Sequence, residues 1–171
     1  TAASNLLTFA SLGTRAAGST AIFNSIRNNA DTGGVIALTT SPTALLTNGN
    51  GILGGWAVRA AVTSGTTTYE WATVAAQTVN GSSVNAITGL TSYTAANTAN
   101  SINGWSSTQN VKMTVSQTPT SFGSRTINSL NIQSPSGLTL NINPVSSTTQ
   151  STLTINSGGI LATQATHTIT G

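Results

Sequence analysis

Three kinds of chemistry would leave a trace in a chain this short, and each needs a particular set of side chains. Acid–base cleavage by a carboxylate pair needs two acids. Asp31 and Glu70 are the only ones, 39 positions apart in the sequence, with nothing to pair them. A Ser-His-Asp triad would draw on His167, the only histidine, and Asp31 with one of many serines. In "QATHTITG" His167 reads instead as an exposed or laddered side chain. A zinc site needs a cluster of His, Cys and carboxylate that is absent here, and a calcium site needs several carboxylates. The expectation is therefore no enzyme, no catalytic residue, no bound metal and no cofactor.

Nucleic-acid binding fails on spacing. The five basic residues, Arg15, Arg27, Arg59, Lys112 and Arg125, are never closer than 12 positions. The pI near 10.3 comes from isolated side chains, whereas phosphate binding needs several cations acting together. "NGNGILGGWAV" (48–58) is glycine-rich but lacks the spacing and the lysine of a phosphate loop. Aromatic rings are the remaining candidates. Trp56, Tyr69, Trp71, Tyr93 and Trp105 all precede residue 106 and are candidates for stacking on a glycan; the alternative is that they cover a core. Asn80-Gly81-Ser82 fits an N-glycosylation acceptor.

The elements that would position such residues are strands. Charged residues make up 4% of the chain, against about 25% in ordinary domains. Thr, Ser, Asn and Gly stand in their place and alternate with apolar residues, which is a β pattern. In "NVKMTVS" Val111, Met113 and Val115 face inward while Lys112 and Thr114 face outward. Turn signals sit at "DTGG" (31–34) and at Asn-Gly steps in 75–109. No apolar run approaches the roughly 20 residues of a membrane helix. The chain has no cysteine. It shows no signal-peptide pattern and starts at Thr1, as expected of a processed product or a piece of a longer chain.

An internal echo organises the last third. Shifting the chain by 23 puts Leu130 on Leu153, Ile132 on Ile155 and Leu138 on Leu161, a period typical of stacked repeats. Stacked turns place like residues over like at about 4.7–4.9 Å. Charges would repel at that spacing, and Thr, Ser and Asn would not. The expectation is a single β-solenoid domain over 1–171, irregular and aromatic-containing over 1–109 and built of regular rungs over 110–171. Its architecture would be all-β, a parallel β-helix with a less regular N-terminal part, with a β-sandwich or jelly roll as the alternative.

"TINSLNIQSPSGLTLNI" and "STLTINSGGILAT" resemble the autotransporter-associated β-strand repeats of large bacterial surface proteins. "FASLGTRAAGST", "NGILGGWAV" and "YEWATV" resemble the segments that precede those repeats. The resemblance implies a right-handed parallel β-helix, secretion, and a place at the cell surface or in the extracellular matrix. It brings no shared catalytic residues, and this chain lacks the outer-membrane barrel of an autotransporter. The expected function is structural: a subunit or segment of a fibre, sheath or surface matrix, a homopolymer joined end to end by strand pairing. Leu6, Leu7, Phe9 and Ile169 are the candidate assembly contacts. An adhesin or glycan-binding module is the alternative.

Overall fold

Alternating Thr, Val, Ile and Ala leave each strand one face to bury, and strand formation dominates the chain. A computed structural model describes residues 5–13, 16–25, 34–42, 46, 50–63, 66–143, 150–157 and 159–171. Strand accounts for 49% and helix for 4%, so the all-β expectation holds. The chain divides into two compact units, Thr1–Thr91 and Ser92–Gly171.

The first unit holds one curled six-stranded sheet. Its strands are β1 (Leu6–Phe9), β2 (Ala21–Ser25), β3 (Val35–Leu38), β4 (Ala57–Thr63), β5 (Thr66–Val79) and β6 (Ser82–Gly89), in the order β1-β3-β6-β5-β4-β2. The middle is antiparallel, and the outer pairs β1/β3 and β4/β2 are parallel. The middle follows from its turn. Asn80 and Gly81 take φ of 51° and 82°, the positive values a two-residue type I′ hairpin requires. They fold β5 back on β6 from Val79↔Ser82 to Ala72↔Gly89. The sheet is therefore mixed, and a parallel coil running through the whole chain is not what this unit contains. Leu38, Leu53, Ala57, Ala72 and Ile87 form its core, with Trp56 and Val74 packed against it.

Among the described residues of the second unit every pairing is parallel. β7 (Thr94–Ala96) leads through a 3-10 turn, Ser101–Gly104, to β8 (Asn110–Met113). Then come β9 (Arg125–Ile127), β10 (Ser129–Gln133), β11 (Thr139–Asn141), β12 (Leu153–Ile155), β13 (Ile160–Thr163) and β14 (Thr168–Thr170). Three ladders result: β7-β8-β10-β13, β9-β12 and β11-β14. Gln117 extends the last of these by a parallel bridge to Leu140.

Like side chains lie over like at some positions of the ladders and not at others, where Leu153 lies over Arg125 and Leu161 over Asn131. Val111 pairs with Leu130 and Leu130 with Ile160; Ile127 pairs with Ile155, Leu140 with Ile169, and Thr126 with Thr154. The core consists of Val111, Met113, Ile127, Leu130, Ile132 and Leu140 with Ile102, Trp105 and Phe122. The step between layers is not a constant 23 residues: Gln117 and Leu140 are 23 apart, but Ile127 and Ile155 are 28 apart and Leu140 and Ile169 are 29 apart. Thr94, Val111, Leu130 and Ile160 succeed one another at 17, 19 and 30. Leu130 and Leu153 belong to different ladders. The shift of 23 laid one ladder on another, because each ladder carries the same apolar-polar-apolar phrase.

Candidate functional site

Arg59 and Glu70 face each other across β4 and β5, an opposite-charge pair of the kind that steadies a sheet. The Arg59 guanidinium also donates to the carbonyls of Phe23, at 3.3 Å, and of Ala60. It thereby ties β2 to β4. Burial lowers the Arg59 pKa from its ordinary value, because the charged form loses hydration. Arg125 donates to the carbonyls of Asn103 and Ser124. Arg15, Arg27 and Asp31 lie outside the described residues, and so does any triad that would use Asp31. Among the described residues no group of three His, Cys, Asp or Glu side chains could hold a metal.

Two of the five candidate ring stackers are withdrawn from solvent. Trp71 and Trp105 are buried, so neither ring presents a face to solvent. Trp71 sits in the middle of the long strand β5, and Trp105 follows the 3-10 turn into the second core. Trp56 is half-buried against the first core, with its ring over Gly54. Gly54 has φ of 137°, and a Cβ there would stand 2.5 Å from the indole nitrogen. Tyr69 is half-buried in β5. Tyr93 is half-buried too; the Lys112 ammonium lies 5.4 Å from its ring centre and Asn131 donates to its hydroxyl. That ring already has a cation on it.

The apolar surface is more orderly. The large hydrophobic residues exposed among those described are Leu6, Leu7, Phe9, Ile22, Ile160 and Ile169, with relative exposures of 41–64%. All six lie on β1, β2, β13 or β14, and each of those strands is the edge of its sheet. All four candidate assembly contacts are in this set. Ile22 and Ile160 were not foreseen. Ile160 stands in the column of Val111 and Leu130, both fully buried one and two layers below. Ile169 stands over the fully buried Leu140 in the same way. Their exposure is that of core positions with no layer above them.

The strands that bear these exposed residues carry none of the usual protection, whereas the edge strand β9 begins with Arg125. Lysine, proline and inward charges commonly blunt exposed strands. Here β1 reads LLTF, β2 AIFNS, β12 LTI, β13 ILAT and β14 TIT. No charge and no proline occurs in any of them.

The only histidine does structural work. Leu138 N–H donates to His167 Nδ1 at 3.0 Å, and His167 Nε2 lies 3.0 Å from the Thr163 carbonyl oxygen. Buried amides carry other joints: Gln117, fully buried, accepts from Ile102 N–H through Oε1 and donates to the Thr98 and Val115 carbonyls through Nε2. Asn110 Oδ1 accepts from both Asn128 Nδ2, at 2.6 Å, and Ser129 Oγ, at 2.7 Å. In comparisons with protein-family models, curated proteins and solved structures, nothing matched the chain. No helix among the described residues is long and apolar enough to cross a membrane.

Proposed function

We propose that this chain is a secreted structural protein, a subunit or segment of an extracellular fibre, sheath or surface matrix that grows head to tail by β-strand pairing. On this reading Ser92–Gly171 is a three-sided parallel β-helix, right-handed as the resemblance to autotransporter-associated repeats implies. The observation that carries the proposal is the coincidence of exposed apolar residues with uncharged edge strands. A strand edge offers backbone donors and acceptors, and its apolar side chains offer area to bury. Edges on two different sets of strands allow heterologous contacts, which build open filaments when the rotation does not close.

The test is self-association by light scattering and electron microscopy, on the wild type and on Leu7→Lys and Ile160→Lys. The wild type should form filaments. Each variant alone should stop them, since an inserted charge would sit on a pairing edge. An equimolar mixture should form a discrete dimer, because each variant keeps the end that the other has lost. A wild type that stays monomeric at high concentration, with no fibres, overturns the proposal. Filaments that both variants still form would place growth on some other surface.

A further inference from the structure

We propose that His167 is a proton-operated latch that ties the layer of β13 and β14 to β11 in the layer below. The hydrogen bonds define its state. A backbone N–H can only donate, so the Nδ1 that meets Leu138 N–H carries no hydrogen. A carbonyl oxygen can only accept, so the Nε2 facing Thr163 carries one. The latch is therefore closed by the neutral ring with its hydrogen on Nε2.

Its position gives it leverage. Thr163 ends β13, Thr168 begins β14, and Gln164 turns between them at φ of 79°. The ring closes that turn onto itself and ties it to Leu138, the residue before β11. Thr168 N–H donates back to the Leu138 carbonyl at 2.8 Å. The turn presses closely on its neighbour: a Cβ on Gly137 would lie 2.8 Å from the Thr166 carbonyl oxygen.

Protonation moves one proton from solvent to Nδ1 and breaks the bond to Leu138. Two donors then face each other, and Leu138 N–H loses its acceptor. The segments that carry these bonds, 134–141 and 160–171, contain no Asp, Glu, Lys or Arg side chain, and His167 is the one ionisable side chain after Arg125. The closed contact to Leu138 therefore exists only with the neutral ring. Histidine ordinarily changes charge between about pH 5 and 8, within physiological reach.

The experiment is residue-resolved hydrogen exchange on the whole chain at about pH 7.5 and about pH 5, corrected for intrinsic rates. The amides of Leu138 and Thr168 should lose at least about tenfold in protection at the lower pH. His167→Gln, which still presents an acceptor but does not titrate, should hold its protection across the range. Equal protection of the wild type at both pH values overturns the latch, and so does an equal loss in His167→Gln. A readout that needs no variant is the imidazole nitrogen spectrum at neutral pH. The Nε2–H tautomer is expected there, and an Nδ1–H ring would also overturn the proposal. The latch stands on these bonds whether or not the chain polymerises.

Discussion

Gln117 shows how much of the second unit rests on single neutral side chains. It is fully buried, yet its carboxamide meets three backbone groups, and its own N–H and C=O bond Thr139 and Asn141. A buried amide so placed is an asset only while every partner is met. Gln117→Met keeps the volume and leaves Ile102 N–H without its acceptor, while the Thr98 carbonyl keeps only Ser101 N–H. The expected cost is about 1–3 kcal/mol, that of one buried donor left unbonded. Urea unfolding followed by tryptophan fluorescence would measure it, since Trp105 lies in the same core. A loss below about 0.5 kcal/mol, the level of an ordinary surface change, would mean that water replaces the amide. Neutral polar side chains carry here what ion pairs carry elsewhere, because stacked layers penalise charge and accept amides.

At the scale of elements, the corner between β9 and β10 sets the register of the coil. Asn128 N–H bonds the Gln109 carbonyl below, while Asn156 and Ser157 N–H bond the carbonyls of Ile127 and Asn128 from above. The ladder thus runs on through the corner. Asn110→Ala would strip one acceptor from two buried donors and should cost about 2 kcal/mol. Its exchange signature should appear first in β8 and β10; uniform loosening of the unit would contradict a local role. This corner was also the legible signal that the apolar pattern concealed. "TINS" occurs at 126–129 and again at 154–157, a shift of 28 that matches the observed pairing of Thr126 with Thr154. Leu-x-Ile recurs on more than one ladder and so says "strand" without saying which. The polar corner occurs once per turn and does say which. In the first unit the signal was the Asn80-Gly81 step, whose positive φ values dictate a hairpin. The burial of Trp71 and Trp105 had no local signal, because alternation names two faces of a strand and not which of them is covered.

For the molecule as a whole, the scarcity of charge becomes the controlling property. Five basic and two acidic residues are spread over 171 positions, and both acids belong to the first unit. Association through neutral edges should therefore vary little between about 20 and 500 mM salt, whereas association through charges would weaken as the Debye length shrinks. Each unit also has a core of its own: Leu38 to Ile87 in the first, Ala96 to Leu140 in the second. Every strand pairing given above joins strands of the same unit. Residues 92–171 should accordingly fold when expressed alone, with a β-type circular dichroism spectrum and one cooperative urea transition. Their slowest-exchanging amides should match those of β8 and β10 in the whole chain. An 80-residue unit without disulfides has little stability to spare, so its transition should come at lower urea than a larger domain's. A fragment with a random-coil spectrum would show that the three parallel ladders depend on the residues before 92. A cooperative fragment would make the parallel stack a building element in its own right, which the proposed role in a filament requires.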